Sequence, residues 1–167
     1  MIFVTKFKEH KKYKKKLLEL IDQMPQSPKL NTADEVISKN DFHFPRELNR
    51  PYIDFFVPLL NPYLADMANK FKSKSIRFHN MWFQQYKKND THAWHNHPES
   101  NFSHVYYLEL PSIKIATKFL NVRKKLSIKE GDILTFPGHL YHCSPINNTK
   151  KRKTVIAFNA SFTDYAG

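Results

Sequence analysis

The chain has few glycines and one cysteine, and each scarcity excludes a class of protein. Three glycines in 167 residues exclude collagen-like and glycine-rich repeats and the phosphate-binding glycine loops of many nucleotide-binding enzymes. The single cysteine, Cys143, excludes an intramolecular disulfide and a cysteine-based zinc cluster. We therefore expect a hydrophobic core, rather than covalent cross-links, to stabilise the fold.

Long hydrophobic runs are also missing. No apolar stretch approaches the roughly 18 residues that a membrane-spanning helix requires. The apolar patch near the N-terminus is too short for a secretory signal, and no small-residue cleavage site follows it. Together with the single cysteine, these features predict a reduced, cytoplasmic domain without a membrane segment.

Acidic residues are outnumbered by basic ones. The 27 lysines and arginines against 15 aspartates and glutamates give a net charge of +12. The excess concentrates in residues 11–16 and 150–153, and such runs are usually solvated surface. Contact with a polyanion or a nucleic acid stays open as the alternative interpretation.

Hydrophobic spacing divides the chain into two parts that we expect to form one domain over residues 1–167. Residues 1–73 predict a helical N-terminal support, and residues 74–167 predict a β-rich core. Apolar residues recur at helical spacing in 9–24 and 56–71.

Local signals refine the first part. Residues 2–7 are β-prone, and residues 25–50 read mostly as loop because they are rich in proline and polar groups. Pro58 and Pro62 predict that the second helix breaks and restarts with Asn61 as its N-cap.

The second part is rich in β-branched and aromatic residues separated by turn signals. Short strands with even spacing are typical of a sandwich or barrel. The predicted strands are 75–86, 103–110, 113–120, 125–128, 132–136 and 153–162.

Histidines are the most informative residues for function. His95 and His97 are two residues apart, so they share one face if the segment is extended. His142, from a distant segment, would complete one face of an octahedral metal site and leave positions open for substrate and oxygen. Imidazoles suit several metals, and ordinary surface or hydrogen-bonded histidines are the alternative.

A basic residue follows the distal histidine. Residues 131–137 read as an apolar strand ending in a proline turn, and His142 comes five residues later. Arg152 stands ten residues beyond His142 and opens the apolar stretch 154–158. An arginine there suits a bidentate grip on a carboxylate.

This constellation resembles the iron(II)- and 2-oxoglutarate-dependent oxygenases, in particular small prolyl-hydroxylase-like and phage or bacterial members. The likeness covers about residues 80–160. It rests on the order and spacing of 95–97, 103–108, 131–137, His142 and Arg152.

The resemblance implies a mainly β fold with N-terminal helices, a double-stranded β-helix (jelly-roll, cupin-like) barrel with the metal in its mouth. It implies an oxygenase that uses molecular oxygen, with iron(II) held by His95, His97 and His142 and chelated by 2-oxoglutarate. It implies that Arg152 pairs with the far carboxylate of 2-oxoglutarate. The other expected cofactor-binding residues are Thr154, Tyr86 and Tyr106, although strand aromatics are more often core.

The sequence departs from the family pattern at two positions. His97 stands where the family has aspartate or glutamate, and Glu99 is a possible substitute carboxylate. Lys153 is the second choice for the carboxylate clamp, because neighbouring strand residues face opposite ways. The alternatives are a cupin-like metal-binding protein that acts without 2-oxoglutarate, and a nucleic-acid-binding module on an inactive barrel. The primary substrate is not identified by the sequence.

Overall fold

Two antiparallel sheets and two α-helices make up the fold in a computed structural model, which describes residues 1–26, 35–123 and 125–164. This confirms the expected mainly β class with N-terminal helices. The helices are α1 (His10–Asp22) and α2 (Pro51–Phe71), and a 3₁₀ turn covers Ile113–Ile115. The strands are β1 (Phe3–Lys6), β2 (Glu35–Val36), β3 (Lys39–Asn40), β4 (Ser75–Tyr86), β5 (Thr91–His95), β6 (Phe102–Glu109), β7 (Lys118–Phe119), β8 (Asp132–Pro137), β9 (His142–Ser144) and β10 (Lys153–Thr163).

The larger sheet has six strands in the order β1-β8-β6-β10-β4-β3, and the smaller has four in the order β2-β5-β9-β7. Strand β10 lies inside the larger sheet between β6 and β4. Its side chains alternate, so one set faces a pocket against the smaller sheet and the other faces the helices. The pocket-facing set consists of Lys153, Val155, Ala157 and Asn159.

Both helices cover the face of the larger sheet that points away from the pocket. Their apolar stripes supply Leu17, Ile21, Phe56 and Leu60 to a core that also contains Phe158. Helix α1 confirms the helix predicted over 9–24. The first 73 residues also supply β1, β2 and β3, and the prediction of one domain over the whole chain stays a prediction.

The predicted break in the second helix is wrong. Helix α2 runs from Pro51 to Phe71 with Pro58 and Pro62 inside it. Both prolines lie on the exposed face, where the peptide oxygens that lose a partner can bond to water. The buried stripe on the opposite face holds the helix together through its packing.

Four of the six predicted strands form, and two do not. The stretches 75–86, 103–110, 132–136 and 153–162 agree with β4, β6, β8 and β10 to within one residue at each end. The prediction for 113–120 is wrong, because a 3₁₀ turn and the two-residue β7 occupy it. Within the described part of 125–128 no strand forms.

Two further observations bear on the sequence predictions. None of the helices in the described ranges is long and apolar enough to cross a bilayer. Cys143 is a buried, free thiol.

Candidate metal centre

Three histidines meet in the pocket between the two sheets. His95 ends β5 and pairs directly with His142 of β9, while His97 lies in the loop that follows β5. One ligand nitrogen from each lies within 4.8 Å of the others, and the group could hold a metal ion. The structure thus brings together the three residues that the sequence singled out.

A β-bulge in β5 turns the side chain of His92 to the same face as that of His95. The pairing with β9 shifts between His92 and His95, which inserts an extra residue on the β5 side. His92 therefore faces the same way as His95, and the two rings stack at 3.9 Å with 20° between their planes. Trp94 points outward and is half exposed. Sequence reasoning did not assign His92 to the site, because strict alternation hides the effect of a bulge.

A close backbone contact fixes the loop that carries His97. The His97 N–H donates to the Gly138 carbonyl at 2.8 Å, and the Gly138 N–H donates to the Asn101 carbonyl at 3.1 Å. A Cβ at position 138 would lie 2.4 Å from the carbonyl oxygens of both His97 and Ser100. Only glycine allows this approach, so Gly138 helps to set the position of His97.

The hydrogen bonds of two histidines orient their rings. His95 Nδ1 donates to the Ala93 carbonyl at 2.7 Å, and His142 Nδ1 donates to the Leu140 carbonyl at 2.9 Å. Each Nε2 then keeps its lone pair, which is the form that binds a metal.

Burial keeps the three imidazoles neutral. It lowers the pKa of His142 to about 3 and that of His97 to about 4, and it also lowers the pKa of His95. Neutral imidazole is the ligand form, so protons do not compete for the site near neutral pH. The donor set therefore fits a divalent transition metal.

Glu99, the possible substitute carboxylate, lies behind His97 rather than among the three ligand atoms. Its Oε1 is 3.5 Å from His97 Nδ1 and accepts a hydrogen bond from Asn159 Nδ2 at 3.0 Å. The group of candidate ligands found in the described ranges consists of the three histidines.

Lys153 lies in the same pocket with its amine buried. The side chain is 2% exposed, and its Nζ donates to the Ile115 carbonyl at 2.9 Å and to Ser144 Oγ. The amine also lies 4.4 Å from the centroid of the Tyr86 ring. Burial lowers its pKa to about 7, so the pocket holds a basic group that titrates near neutrality.

Arg152, the first choice for the carboxylate clamp, lies outside the pocket. Its guanidinium forms ion pairs with Glu109 at 2.8 Å and with Asp22 at 3.1 Å. Thr154 donates its hydroxyl to Glu109, so it faces the same outer side. Strand β10 begins at Lys153, and alternation turns Lys153 inward and its neighbours outward. The expected placement of Arg152 and Thr154 in the pocket is therefore corrected.

The two tyrosines expected near the cosubstrate lie on opposite faces of the larger sheet. Tyr86 lines the pocket. Tyr106 lies in the core under the helices, where it stacks on Phe56 at 5.0 Å and shares a 2.7 Å hydrogen bond with His10. The expectation for Tyr106 is corrected, because its strand position points away from the histidines.

Comparison with known proteins identifies the fold. No protein-family model matches the chain, and no curated protein matches its sequence. Three similar solved structures are these. The viral collagen prolyl hydroxylase of Paramecium Bursaria Chlorella virus-1, in complex with 2OG, has a TM-score of 0.67 and 15% identity over 95% of this chain and 94% of that one. An oxidoreductase of the 2OG-Fe(II) oxygenase family from Burkholderia pseudomallei has a TM-score of 0.65 and 13% identity over 92% and 82%. The non-heme alpha ketoglutarate dependent epimerase SnoN from nogalamycin biosynthesis has a TM-score of 0.68 and 10% identity over 95% and 76%.

These likenesses extend over nearly the whole chain, but the identities are low. A hydroxylase and an epimerase both occur among the similar structures, so the reaction does not follow from the fold. The likeness agrees with the mainly β architecture, the two antiparallel sheets and the resemblance found in the sequence. The chain therefore has the jelly-roll fold of the 2OG-Fe(II) oxygenases.

Proposed function

We propose that this protein is an iron(II)- and 2-oxoglutarate-dependent dioxygenase that hydroxylates a substrate not yet identified. The observation that carries the proposal is one pocket, between the two sheets of this fold, that contains three neutral imidazoles and a buried lysine. The histidines provide a metal site, and the lysine provides the partner for a carboxylate.

The residues proposed to hold iron(II) are His95, His97 and His142, each through a ring nitrogen. Three ligands on one face leave the remaining coordination positions for exchangeable groups, as oxygenase chemistry requires. When bound, iron(II) and 2-oxoglutarate would supply the oxygen activation and the electrons for hydroxylation. The protein's own contribution is to orient the rings and to keep them neutral.

Lys153 is proposed as the clamp for the far carboxylate of 2-oxoglutarate. Its amine donates to two neutral oxygens, and it forms no ion pair with a carboxylate in the described ranges. A buried cation with neutral partners is expensive, and an incoming carboxylate would offset that expense. Arg152 already has two carboxylate partners, so Lys153 is the better candidate.

The spaces around the histidines differ in size. The inner cavity has a volume of about 30 Å³, which is enough for one or two water molecules. Binding of 2-oxoglutarate therefore requires the lining side chains to move, and the flexible stem of Lys153 is suited to that. An outer cleft of about 430 Å³ adjoins His95 and His97 and is lined by Phe42 and Trp82, and we assign it to the primary substrate.

The two alternatives make different demands on these residues. A cupin-like protein that acts without 2-oxoglutarate would use the same histidines, but it has no need of the buried cation at Lys153. The nucleic-acid hypothesis rests on the net charge of +12 alone, and neither the pocket nor the similar structures support it.

Anaerobic titration with iron(II), with and without 2-oxoglutarate, tests the proposal. We expect one iron per chain and a metal-to-ligand charge-transfer absorption that forms only when both are present. The variants His95→Ala and His142→Ala should lose the iron. Iron binding without any response to 2-oxoglutarate would favour the cupin-like alternative, and the lack of iron binding would refute both.

A further inference from the structure

Two hydrogen bonds connect the floor of the pocket to Glu99, whose carboxylate lies next to His97. Ser103 Oγ donates to Asn159 Oδ1 at 2.8 Å, and Asn159 Nδ2 donates to Glu99 Oε1 at 3.0 Å. The same Glu99 oxygen lies 3.5 Å from His97 Nδ1, near the outer limit of a hydrogen bond. Asn159 is fully buried, so the central strand β10 holds one oxygen of the Glu99 carboxylate beside Nδ1 of His97.

His97 differs from the other two candidate ligands in what lies behind its ring. His95 and His142 donate to backbone carbonyls, which carry no net charge. Within the described part of the chain, His97 is the one of the three whose ring lies within ion-pair distance of a carboxylate. A carboxylate behind a metal-bound imidazole fixes its tautomer and orientation and raises its basicity.

The net charge of the occupied site would be positive without the Glu99 carboxylate. Three neutral imidazoles bring no negative charge, whereas iron(II) and the 2-oxoglutarate dianion cancel one another. Protonated Lys153 then leaves the pocket with an excess of one positive charge. Glu99 offsets that positive charge from behind a ligand ring, whereas a carboxylate at position 97 would do so from within the coordination sphere of the metal.

We propose that Glu99, held by Asn159, is a positioning residue for His97 and supplies the negative charge that the metal centre would otherwise lack. This inference rests on the proposed function for its metal. Glu99 turns the Nε2 of His97 towards the metal by accepting the Nδ1 proton, and it remains outside the coordination sphere.

Metal affinity of four proteins tests the proposal. Binding of Co(II) and of anaerobic Fe(II) is measured by calorimetry for the wild type, Glu99→Gln, Asn159→Ala and the double variant. Glu99→Gln should weaken binding by about 10- to 100-fold, as the loss of such a partner usually does. Asn159→Ala should weaken it less. The double variant should resemble Glu99→Gln, because both changes interrupt one pathway.

Glu35→Gln is the matched control. Glu35 lines the same outer cleft and acts on His95 only through space. If bulk charge in the cleft were sufficient, its removal would weaken metal binding as much as Glu99→Gln does. Glu35 is less exposed than Glu99, but in the described part of the chain no hydrogen bond or ion pair joins it to a candidate ligand, so we expect an effect below about 3-fold.

The redox potential separates an electrostatic role from a purely structural one. A nearby negative charge favours iron(III) over iron(II), so Glu99→Gln should raise the potential of the bound iron while Asn159→Ala moves it less. Thermal melting of the metal-free variants shows whether they fold.

Three results would overturn the proposal. One is wild-type affinity and potential in Glu99→Gln. Another is a loss in Glu99→Ala as complete as that in His97→Ala, which would make Glu99 a ligand. The third is the lack of metal binding by the wild type, which would also refute the proposed function. Metal binding without 2-oxoglutarate binding would refute the proposed function alone, and the Glu99 proposal would stand on the affinities.

Discussion

Lys153→Met should make the stability of the ligand-free protein less dependent on pH, because it removes a buried titratable amine and keeps an unbranched side chain. Burial lowers the pKa of Lys153 from 10.5 to about 7. At roughly 1.4 kcal/mol for each pKa unit, the charged amine destabilises the folded state by up to roughly 5 kcal/mol. The variant leaves the Ile115 carbonyl and Ser144 Oγ without their donor, which costs about 1–3 kcal/mol for each buried group.

These two contributions oppose one another, so the pH dependence of the free energy of unfolding is a sharper test than its change at a single pH. Between pH 7 and 10.5 the unfolded chain keeps the Lys153 proton and the folded chain has lost it. The unfolded state therefore binds more protons, and the stability of the wild type rises with pH in that window. From pH 7 to pH 9.5 the wild type should gain about 3 kcal/mol relative to Lys153→Met.

Urea denaturation of both proteins at the two pH values measures this difference, and the titrating groups that do not interact with Lys153 cancel in the comparison. Lys151→Met is the control, since that side chain is exposed two residues away. A stability difference between wild type and Lys153→Met that stays constant from pH 7 to pH 9.5 would refute the assignment of Lys153 as a buried cation.

Two further predictions concern the backbone around the site and the core beneath it. Gly138→Ala should weaken metal binding by at least about 10-fold, because a Cβ would meet the His97 carbonyl at 2.4 Å. Calorimetry checks this. Gly131→Ala is the comparison, because Gly131 has φ +90° beside His10 and an alanine there would be strained. It should lower the melting temperature without changing the affinity. His104 Nε2 lacks a hydrogen-bond partner in the described ranges, and burial lowers the pKa of His104 to about 3. The unfolded chain binds the extra proton below pH 6.5, so the wild type should lose about 3 kcal/mol more than His104→Phe between pH 6.5 and pH 4. Equal losses in urea titrations would contradict that prediction.

Most of the regular structure could be predicted because local signals and tertiary packing agree. Long stretches of β-branched and aromatic residues became β4, β6, β8 and β10. Strands β5 and β9 are short and polar where they carry His95 and His142, so they lack the apolar pattern that marks a strand. The apolar stretch 113–120 gave the opposite error, because a short apolar run does not distinguish a strand from a turn packed on the core.

The candidate metal ligands were easier to find than the residues around them. His95, His97 and His142 are marked by residue type and order, which do not depend on register. The choice between Arg152 and Lys153 depends on where β10 begins, and a shift of one residue exchanges the two faces.

The wrong expectation for Tyr106 arises because strand β6 is buried on both faces. Every residue in β6 from Ser103 to Leu108 is buried, because the helices cover one face and the smaller sheet covers the other. Such a strand reads as a continuous apolar run rather than an alternation. Nothing in the sequence therefore shows that Tyr106 faces the helices.

Binding of 2-oxoglutarate to the metal-loaded, oxygen-free protein tests the central claim most directly. Calorimetry should give one site per chain for the wild type. Removal of one partner of a buried charge pair costs about 2–5 kcal/mol, so Lys153→Met should bind at least about 30-fold more weakly. Arg152→Ala should stay within about 3-fold, since its guanidinium is paired outside the pocket. A large loss in Arg152→Ala with none in Lys153→Met would contradict the assignment of the clamp, and the lack of binding by the wild type would contradict the dioxygenase function itself.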